Sequence, residues 1–119
     1  MSKFLLALII IFAISINTGS SQGIDFYKGS FEEALEQAKA ENKLVFVDAY
    51  TTWCGPCKRL AKNVFPKPEV GEYYNNNFIC VKLDMDKKEN SQFGQNYMVT
   101  AYPTLLYING DGKLVHKAL

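Results

Sequence analysis

The stretch Leu44–Lys58, LVFVDAYTTWCGPCK, joins an apolar run to a pair of cysteines. Its first seven residues are apolar and partly β-branched apart from Asp48, which is typical of a strand buried on both faces. Cys54 follows almost at once, and the segment after it, GPCKRLAKNVF, is typical of a helix. The stretch therefore predicts a strand that leads directly into a helix, with Cys54 and Cys57 at the junction.

Strands and helices alternate on both sides of this stretch. Before it, Ile24–Tyr27 is a predicted short edge strand, and SFEEALEQAKAENK is a predicted helix in which Ser30 and Glu33 form a capping box and Asn42 is the stop. After it, the helix through Cys57 is expected to end at Pro66 and to turn three apolar side chains inward: Leu60, Ala61 and Val64.

The rest of the chain continues the alternation. KPEVGEYYNNN is a predicted short helix with Pro68 in its first turn, FICVKLDMD a buried strand, and KKENSQFGQNYMV a helix. TAYPTLLYING and LVHKAL form a closing hairpin around the turn NGDGK. The order β-α-β-α-β-α-β-β predicts an α/β fold: a central mixed sheet flanked by helices.

Length and charge limit the function classes. The chain has 119 residues, which suits one domain, and its 48% apolar content is that of an ordinary globular protein. The formal net charge is +1, and lysines alternate with acidic residues rather than forming a basic run. This pattern argues against nucleic acid or an anionic membrane surface as the main partner.

The N-terminus has a pattern of its own. One lysine precedes an apolar run from Phe4 to about Ile16, and small polar residues follow, which is the layout of a secretory signal. As a helix the run would reach about 20 Å, short of a hydrocarbon core of about 30 Å, so an uncleaved anchor is the less favoured reading. We expect a signal peptide over residues 1–22, cleaved between Ser20 and Gly23, and a domain over 23–119 that works outside the cytoplasm.

The cysteine pair carries the chemistry. At a helix N-terminus, free backbone N–H groups and the helix dipole favour an anion, so the pKa of Cys54 is expected below the free value of about 8.5. Gly55 is expected to permit a tight turn, Pro56 to stiffen the loop, and Trp53 to shield one side of the pair.

The cysteine pair has three possible interpretations. A structural bridge would close a very short loop and restrain the unfolded chain little. A zinc site would need a second C-x-x-C or paired histidines, whereas the chain offers only Cys80 and His116, far apart in strand-like segments. A dithiol that opens and closes is the third, and its position at a strand-to-helix junction favours it.

WCGPCK resembles the active-site motif of the thioredoxin family. VFVDAYTTWCGPCK is similar to the family's strand and active-site helix, and YPTLLYINGDGKLV to its proline-bearing strand and hairpin. The resemblance covers about Ile24 to Leu119. SFEEALEQAKAENK and VFPKPEVGEYYNNNFICVKLDMD are more similar to extracytoplasmic thioredoxin-like proteins, and to the C-terminal domain of the electron transporter DsbD, than to cytosolic thioredoxin.

The resemblance implies roles for four residues in catalysis. Cys54 would attack a substrate disulfide and Cys57 would resolve the mixed disulfide, an order that also follows if Cys54 is the more exposed and more acidic sulfur. Asp48 would be the buried acid that shuttles a proton for Cys57, the alternative being a strand-end aspartate that caps a loop. Lys82 would pair with that acid, the alternative being a strand lysine whose amine reaches solvent.

The resemblance also implies a substrate-binding surface. Pro103 would follow a cis peptide beside the cysteines, the alternative being a proline that only sets a strand edge. Backbone groups of Tyr102 would then pair with a substrate strand. With Trp53, Gly55 and Pro56, these residues make up the predicted substrate-binding set.

Other positions depart from the family or receive no role. Lys62 stands about where many thioredoxins have a kinking proline, and the family's last glycine-bearing loop and C-terminal helix would be missing after Leu119, so we expect a C-terminally truncated domain. Cys80 is expected to be a small buried hydrophobe, and His116 a surface residue of the last strand.

These observations predict a thiol–disulfide oxidoreductase that reduces or isomerises protein disulfides without a bound cofactor or metal, supplied by a membrane electron donor. Its Gly-Pro pair resembles reducing thioredoxins, near about −270 mV, rather than strong oxidants near about −120 mV. The alternatives are a binding or assembly module whose cysteines form a structural bridge, and a peroxidase or sensor that uses Cys54 as its peroxidatic thiol.

Overall fold

The computed structural model describes residues 22–119. The predicted signal peptide lies outside the described residues apart from Gln22. No helix in the described part of the chain is long and apolar enough to cross a membrane.

Residues 22–119 form four strands and four α-helices. Their bounds are α1 Phe31–Glu41, β1 Leu44–Tyr50, α2 Gly55–Asn63, α3 Pro68–Asn77, β2 Phe78–Asp84, α4 Ser91–Asn96, β3 Thr104–Ile108 and β4 Leu114–Ala118, with a short 3₁₀ helix, Lys88–Asn90, before α4. The sheet order is β2-β1-β3-β4. β1 is parallel to β2 and antiparallel to β3, and β3 and β4 form the closing hairpin. The predicted α/β class with a mixed central sheet is confirmed.

β1 is the centre of the molecule. It pairs on both edges, and its five middle residues are all buried, as its apolar run predicts. Val45, Val47 and Ala49 face a core layer that includes Ala34 and Ala38 of α1. The intervening side chains point to the other face, where Phe46 packs with aromatic rings from four neighbouring segments: Phe65, Tyr74, Phe78 and Tyr107.

α1 begins and ends where the sequence predicts. The Ser30 side chain accepts a hydrogen bond from the Glu33 backbone N–H at 3.0 Å, and the Glu33 carboxylate accepts one from the Ser30 N–H. Asn42 ends the helix with a φ of 54°, in the left-handed region that asparagine tolerates. These local contacts fix the helix that covers one face of β1.

The predicted edge strand Ile24–Tyr27 is wrong in extent, because only Phe26 forms a β-bridge, with Cys80 of β2. The backbone N–H of Ile24 donates instead to the Phe65 carbonyl, and that of Asp25 to the Asn75 side chain. The segment therefore crosses from β2 to the ends of α2 and α3 instead of continuing along the sheet.

The inward face of α2 also differs from the prediction. Cys57 is buried and Leu60 is half-buried, whereas Ala61 and Val64 are exposed. The helix ends at Asn63, and the Phe65 N–H bonds back to the Leu60 carbonyl, so that Phe65 takes the buried position. Phe65 lies beyond the end of α2, so the helical spacing of apolar residues does not predict that it is buried.

Candidate active site

The two cysteines lie where β1 passes into α2. Cys54 is the N-cap of α2, and its sulfur accepts a hydrogen bond from the Cys57 backbone N–H at 3.2 Å. Pro56 stands in the first turn, where its missing N–H leaves no intrahelical bond unmade. The sulfurs of Cys54 and Cys57 are at disulfide-bonding distance, with Cα atoms 5.3 Å apart. The strand-to-helix geometry thus brings the pair together at the positive end of a helix.

Cys54 and Cys57 are buried to almost the same extent. Cys54 is 4% exposed and Cys57 5% exposed, so the expectation that Cys54 is the more accessible sulfur is not met in this disulfide-bonded form. What distinguishes Cys54 is its N-cap position and the backbone N–H that points at its sulfur. Such a donor stabilises a thiolate more than a thiol.

Trp53 lies beside the pair on the surface. Its side chain is 65% exposed, and its indole Nε1 donates to Oδ2 of Asp86 at 2.8 Å. The indole meets the Tyr102 ring edge to face, with centroids 6.0 Å apart. The Asp86 carboxylate and the Tyr102 ring together hold the Trp53 side chain in one orientation.

Tyr102 and Pro103 are joined by a cis peptide bond immediately before β3. The Thr104 hydroxyl donates to the Ala101 carbonyl at 2.6 Å and closes this loop. Both Tyr102 and Pro103 are half-buried. The Trp53–Tyr102 ring contact brings the loop and the cysteine-bearing turn together.

Gly55 is not required by the turn. Its φ lies outside the left-handed region, and a Cβ added there would meet only Arg59 Nη1 at 3.5 Å, an ordinary contact. Gly55 is the first residue of a regular helix, so a residue with a Cβ would also fit at this position.

An open groove of about 690 Å³ runs beside Tyr102. Its apolar lining includes Met85, Met98 and Val99. Met98 is 71% exposed and has a φ of 51°, and the Lys117 ammonium on β4 donates to the carbonyls of Tyr97 and Met98 at 2.8 and 3.2 Å. The last strand thus ties down one wall of this groove.

Asp48 is buried in the middle of β1. It is 2% exposed, and its Oδ1 has no hydrogen-bond partner. Burial raises the pKa of Asp48 from its ordinary value of 3.8 to about 6, against a lowering effect of the Lys82 charge. Asp48 shares a face of β1 with Phe46, the face on which Phe65 packs at the end of α2. The strand-end loop cap considered from the sequence is not seen, because Asp48 lies within the strand.

Lys82 is the direct partner of Asp48 in the β1–β2 register. Its ammonium nevertheless lies over two rings, 4.8 Å from the Tyr50 centroid and 5.3 Å from the Phe26 centroid. In the described part of the chain no ion pair within 4.0 Å involves Lys82. The expected pairing of Lys82 with the buried acid is thus a Coulombic one, without direct contact.

Cys80 and His116 lie away from this site. Cys80 is 2% exposed in β2, and burial raises the pKa of its thiol to about 12, as suits a small buried hydrophobe. His116 is exposed on β4 beside the Tyr107 ring. Within residues 22–119 no group of three or more His, Cys, Asp or Glu side chains is placed to hold a metal ion.

Two contacts at the site were not anticipated from the sequence. Asp86, 33 positions after Trp53, accepts the hydrogen bond of its indole. Lys117 on β4 donates to the Tyr97 carbonyl at the wall of the groove. Both contacts join segments that are distant in sequence, so only the folded register brings them together. The acidic pair Asp84 and Asp86 at the end of β2 was the available signal for the first.

The comparisons with known proteins agree with this geometry. The thioredoxin-like family model matches residues 25–110. A thioredoxin of Echinococcus granulosus is 40% identical over 84 residues, which cover 71% of this chain and 73% of that protein. The thiol:disulfide interchange protein DsbD of Pseudoalteromonas atlantica is 32% identical over 84 residues, 70% of this chain but only 14% of that protein.

Solved structures give the same result. The solution structure of a proposed disulphide-isomerase from Bacteroides thetaiotaomicron is 51% identical, has a TM-score of 0.71, and covers 81% of this chain and 79% of its own. Thioredoxin NaTrxh from Nicotiana alata is 29% identical with a TM-score of 0.59, over 82% of this chain and 81% of its own. The fold and the cysteine pair therefore define a thiol–disulfide oxidoreductase. The chain belongs to the thioredoxin-like family.

Proposed function

We propose that this chain reduces or isomerises disulfide bonds in protein substrates, with Cys54 as the nucleophile and Cys57 as the resolving thiol. The observation that carries the proposal is the position of Cys54 as the N-cap of α2, with the Cys57 N–H directed at its sulfur. The same donor favours the thiolate when the pair is reduced.

The reduction proceeds in two exchanges. The Cys54 thiolate attacks one sulfur of the substrate disulfide; that S–S bond breaks, a mixed disulfide forms, and one substrate thiolate leaves. Cys57, its proton taken by Asp48, then attacks the Cys54 sulfur, releases the second substrate thiolate and closes the Cys54–Cys57 disulfide. The substrate gains two electrons and the enzyme loses two. In isomerisation, a second substrate thiolate resolves the mixed disulfide instead, and no net electrons move.

The surface around the pair suits an extended protein segment. Trp53 and Met98 are both exposed, and the groove beside Tyr102 has apolar side chains in its lining. A substrate strand laid along Tyr102 and Pro103 would hydrogen-bond through its backbone, with an apolar side chain in the groove. Gly55 and Pro56 are both exposed in the first turn of α2, so they would contact the substrate near its disulfide.

We further propose that the domain works outside the cytoplasm, in the periplasm or after secretion, and that a membrane donor supplies its electrons. The support is the signal-like pattern of residues 1–22 and the similarity to part of DsbD. Outside the cytoplasm the glutathione and thioredoxin pools do not keep thiols reduced. A reductase in that compartment therefore needs electrons carried across the membrane.

The test compares three cysteine variants in a disulfide reduction assay on insulin. Cys54→Ser is expected to lose turnover, and Cys57→Ser to lose turnover but accumulate a mixed disulfide with the substrate, visible by mass spectrometry. Cys80→Ala is the matched control, because its thiol is buried in β2 and takes no part in exchange. Full turnover by Cys54→Ser would end the proposal.

A binding or assembly module with a structural bridge is the second candidate, because both cysteines are almost fully buried in the closed form. The reduction potential of the Cys54–Cys57 couple separates the two. A redox-active pair is expected near the thioredoxin value of about −270 mV, whereas a potential below about −300 mV would indicate a structural bridge.

A further inference from the structure

The ammonium of Lys82 is close to the buried acid but not bound to it. Asp48 and Lys82 are opposite each other in the parallel β1–β2 register, so their side chains leave the same face of the sheet. Asp48 Oδ1 is buried without a hydrogen-bond partner. An unpaired carboxylate oxygen next to a lysine of the neighbouring strand would ordinarily attract its ammonium into a direct ion pair.

Two aromatic rings hold the ammonium instead. Tyr50 follows Asp48 by two positions on β1 and therefore lies on the same face, and its ring centroid is 4.8 Å from Lys82 Nζ. Phe26 comes from the segment that bridges to β2 at Cys80, and its centroid is 5.3 Å from the same nitrogen. Both distances are within the range of about 6 Å over which a ring face attracts a cation.

We propose that Phe26 and Tyr50 are positioning residues: their rings keep the Lys82 ammonium out of a direct ion pair with Asp48, and so keep the Asp48 carboxyl able to take up a proton. The inference rests on the proposed function, in which Asp48 accepts the proton of Cys57. It assigns these two rings a role in the second exchange that acts through Lys82 and Asp48.

The physical basis is a competition for one cation. A direct ion pair stabilises a carboxylate and would lower the pKa of Asp48, which would make it a weaker proton acceptor. With the ammonium over the rings, Lys82 acts on Asp48 only through space, and burial is the larger effect on the Asp48 pKa. The other ionisable side chains near this pair are those of Tyr50, of its β2 partner Asp84 and, once the disulfide is opened, of Cys57, while the β3 partner of Asp48 is the uncharged Leu105.

Tyr50 acts through its ring face and not through its hydroxyl. Burial raises the pKa of Tyr50, and the Asp84 and Asp48 carboxylates raise it further, so the phenol is neutral throughout the working range. Tyr50→Phe is therefore the matched control, because it keeps the ring and removes only the hydroxyl. Tyr50→Leu removes the ring.

The experiment follows the Asp48 carboxyl carbon by NMR titration in the full chain with the disulfide closed. Tyr50→Leu is expected to lower the pKa of Asp48 by about one unit, as a direct opposite charge does, and Tyr50→Phe to leave it unchanged. Lys82→Met is expected to raise it. In the Lys82→Met background, Tyr50→Leu is expected to have no lowering effect.

Two results would overturn the inference. If Tyr50→Leu lowered the Asp48 pKa equally with and without Lys82, the ring would act by excluding water. If Tyr50→Leu raised it, the rings would be anchoring Lys82 near the acid instead of holding it off. Phe26→Leu provides a second variant with the same expected direction, in case Tyr50→Leu does not fold.

A kinetic readout links the titration to function. The pH profile of the second exchange, measured by rapid-quench decay of the mixed disulfide, is expected to shift to lower pH in Tyr50→Leu by the same amount as the Asp48 pKa; an unmoved profile would contradict the role. The titration needs no substrate, so it stands or falls independently of the Cys54→Ser assay that tests the proposed function.

Discussion

Cys54 is both the N-cap of α2 and one half of the disulfide. The hydrogen bond from the Cys57 N–H stabilises the start of the helix and, when the pair is reduced, favours the charged form of the sulfur. A serine could replace the cap but not the proposed nucleophile. The Cys54→Ser variant therefore keeps the helix cap and removes only the thiol, so a loss of activity in it reports on the chemistry and not on the fold.

Asp48 has a calculable effect on stability. Its pKa is about 6 when folded and 3.8 when exposed, so the folded state binds more protons than the unfolded state between these values. The free energy of unfolding consequently falls as pH rises from about 4 to about 7, by up to about 3 kcal/mol.

We therefore expect Asp48→Asn to stabilise the oxidised protein by about 1–3 kcal/mol at pH 8 and to have little effect at pH 3.5. Urea unfolding of both proteins at the two pH values measures this. Equal effects at the two pH values would show that the carboxylate charge is not the cause. A simultaneous loss of exchange activity in Asp48→Asn is expected, since asparagine lacks the carboxylate that we propose as the proton acceptor.

Sequence reasoning at the residue scale succeeded where chemistry is local. The cysteine pair, its place at a helix start and the buried acid all lie within one short stretch, so the sequence order brings them together. The rings over Lys82 were not predictable, because Phe26 and Tyr50 meet that ammonium only through the β1–β2 register and the crossing of the N-terminal segment.

At the element scale, α1 depends on its capping box. The box satisfies backbone donors at both Ser30 and Glu33 that the first turn would otherwise leave free. We expect Ser30→Ala to lower the free energy of unfolding by about 1 kcal/mol and Ser30→Asp to leave it nearly unchanged, because aspartate caps equally well. Chemical denaturation of the three proteins is the measurement. If Ser30→Ala had the same free energy of unfolding as the wild type, the packing of Ala34 and Ala38 alone would account for the stability of the helix.

Element boundaries were predicted well where a capping signal exists and poorly where tertiary contacts decide. Ser30, Asn42 and Pro68 are such signals, and α1 and α3 begin or end at them. Ile24–Tyr27 has the composition of a strand, yet its donors are taken by Phe65 and Asn75. No local rule anticipates partners that are 40 or more positions away.

At the scale of the whole molecule, β4 is the exposed edge of the sheet. Within the described residues it pairs with β3 alone, and it carries exposed apolar side chains at Leu114 and Val115, which are 38% and 57% exposed. An unpaired apolar edge is a template for association with another chain. We therefore predict that this chain self-associates through β4.

The prediction is tested by light scattering as a function of concentration. Val115→Lys is expected to shift the protein toward the monomer, since a charge on an edge strand blocks further pairing. Ala40→Lys adds the same charge on the exposed surface of α1 and is expected to leave the association unchanged. A wild-type chain that is monomeric at all concentrations would contradict the prediction, as would equal effects of the two variants.

The tether from Lys117 to the Tyr97 and Met98 carbonyls has a consequence for protein engineering. In a selection for altered substrate range, libraries confined to residues near the cysteines would omit Lys117, which lies on β4 and holds one wall of the groove beside Tyr102. Randomising Lys117 together with Met98 would sample conformations of the Tyr97–Met98 segment that mutations beside the cysteines do not reach. Cys54 and Cys57 would stay unchanged.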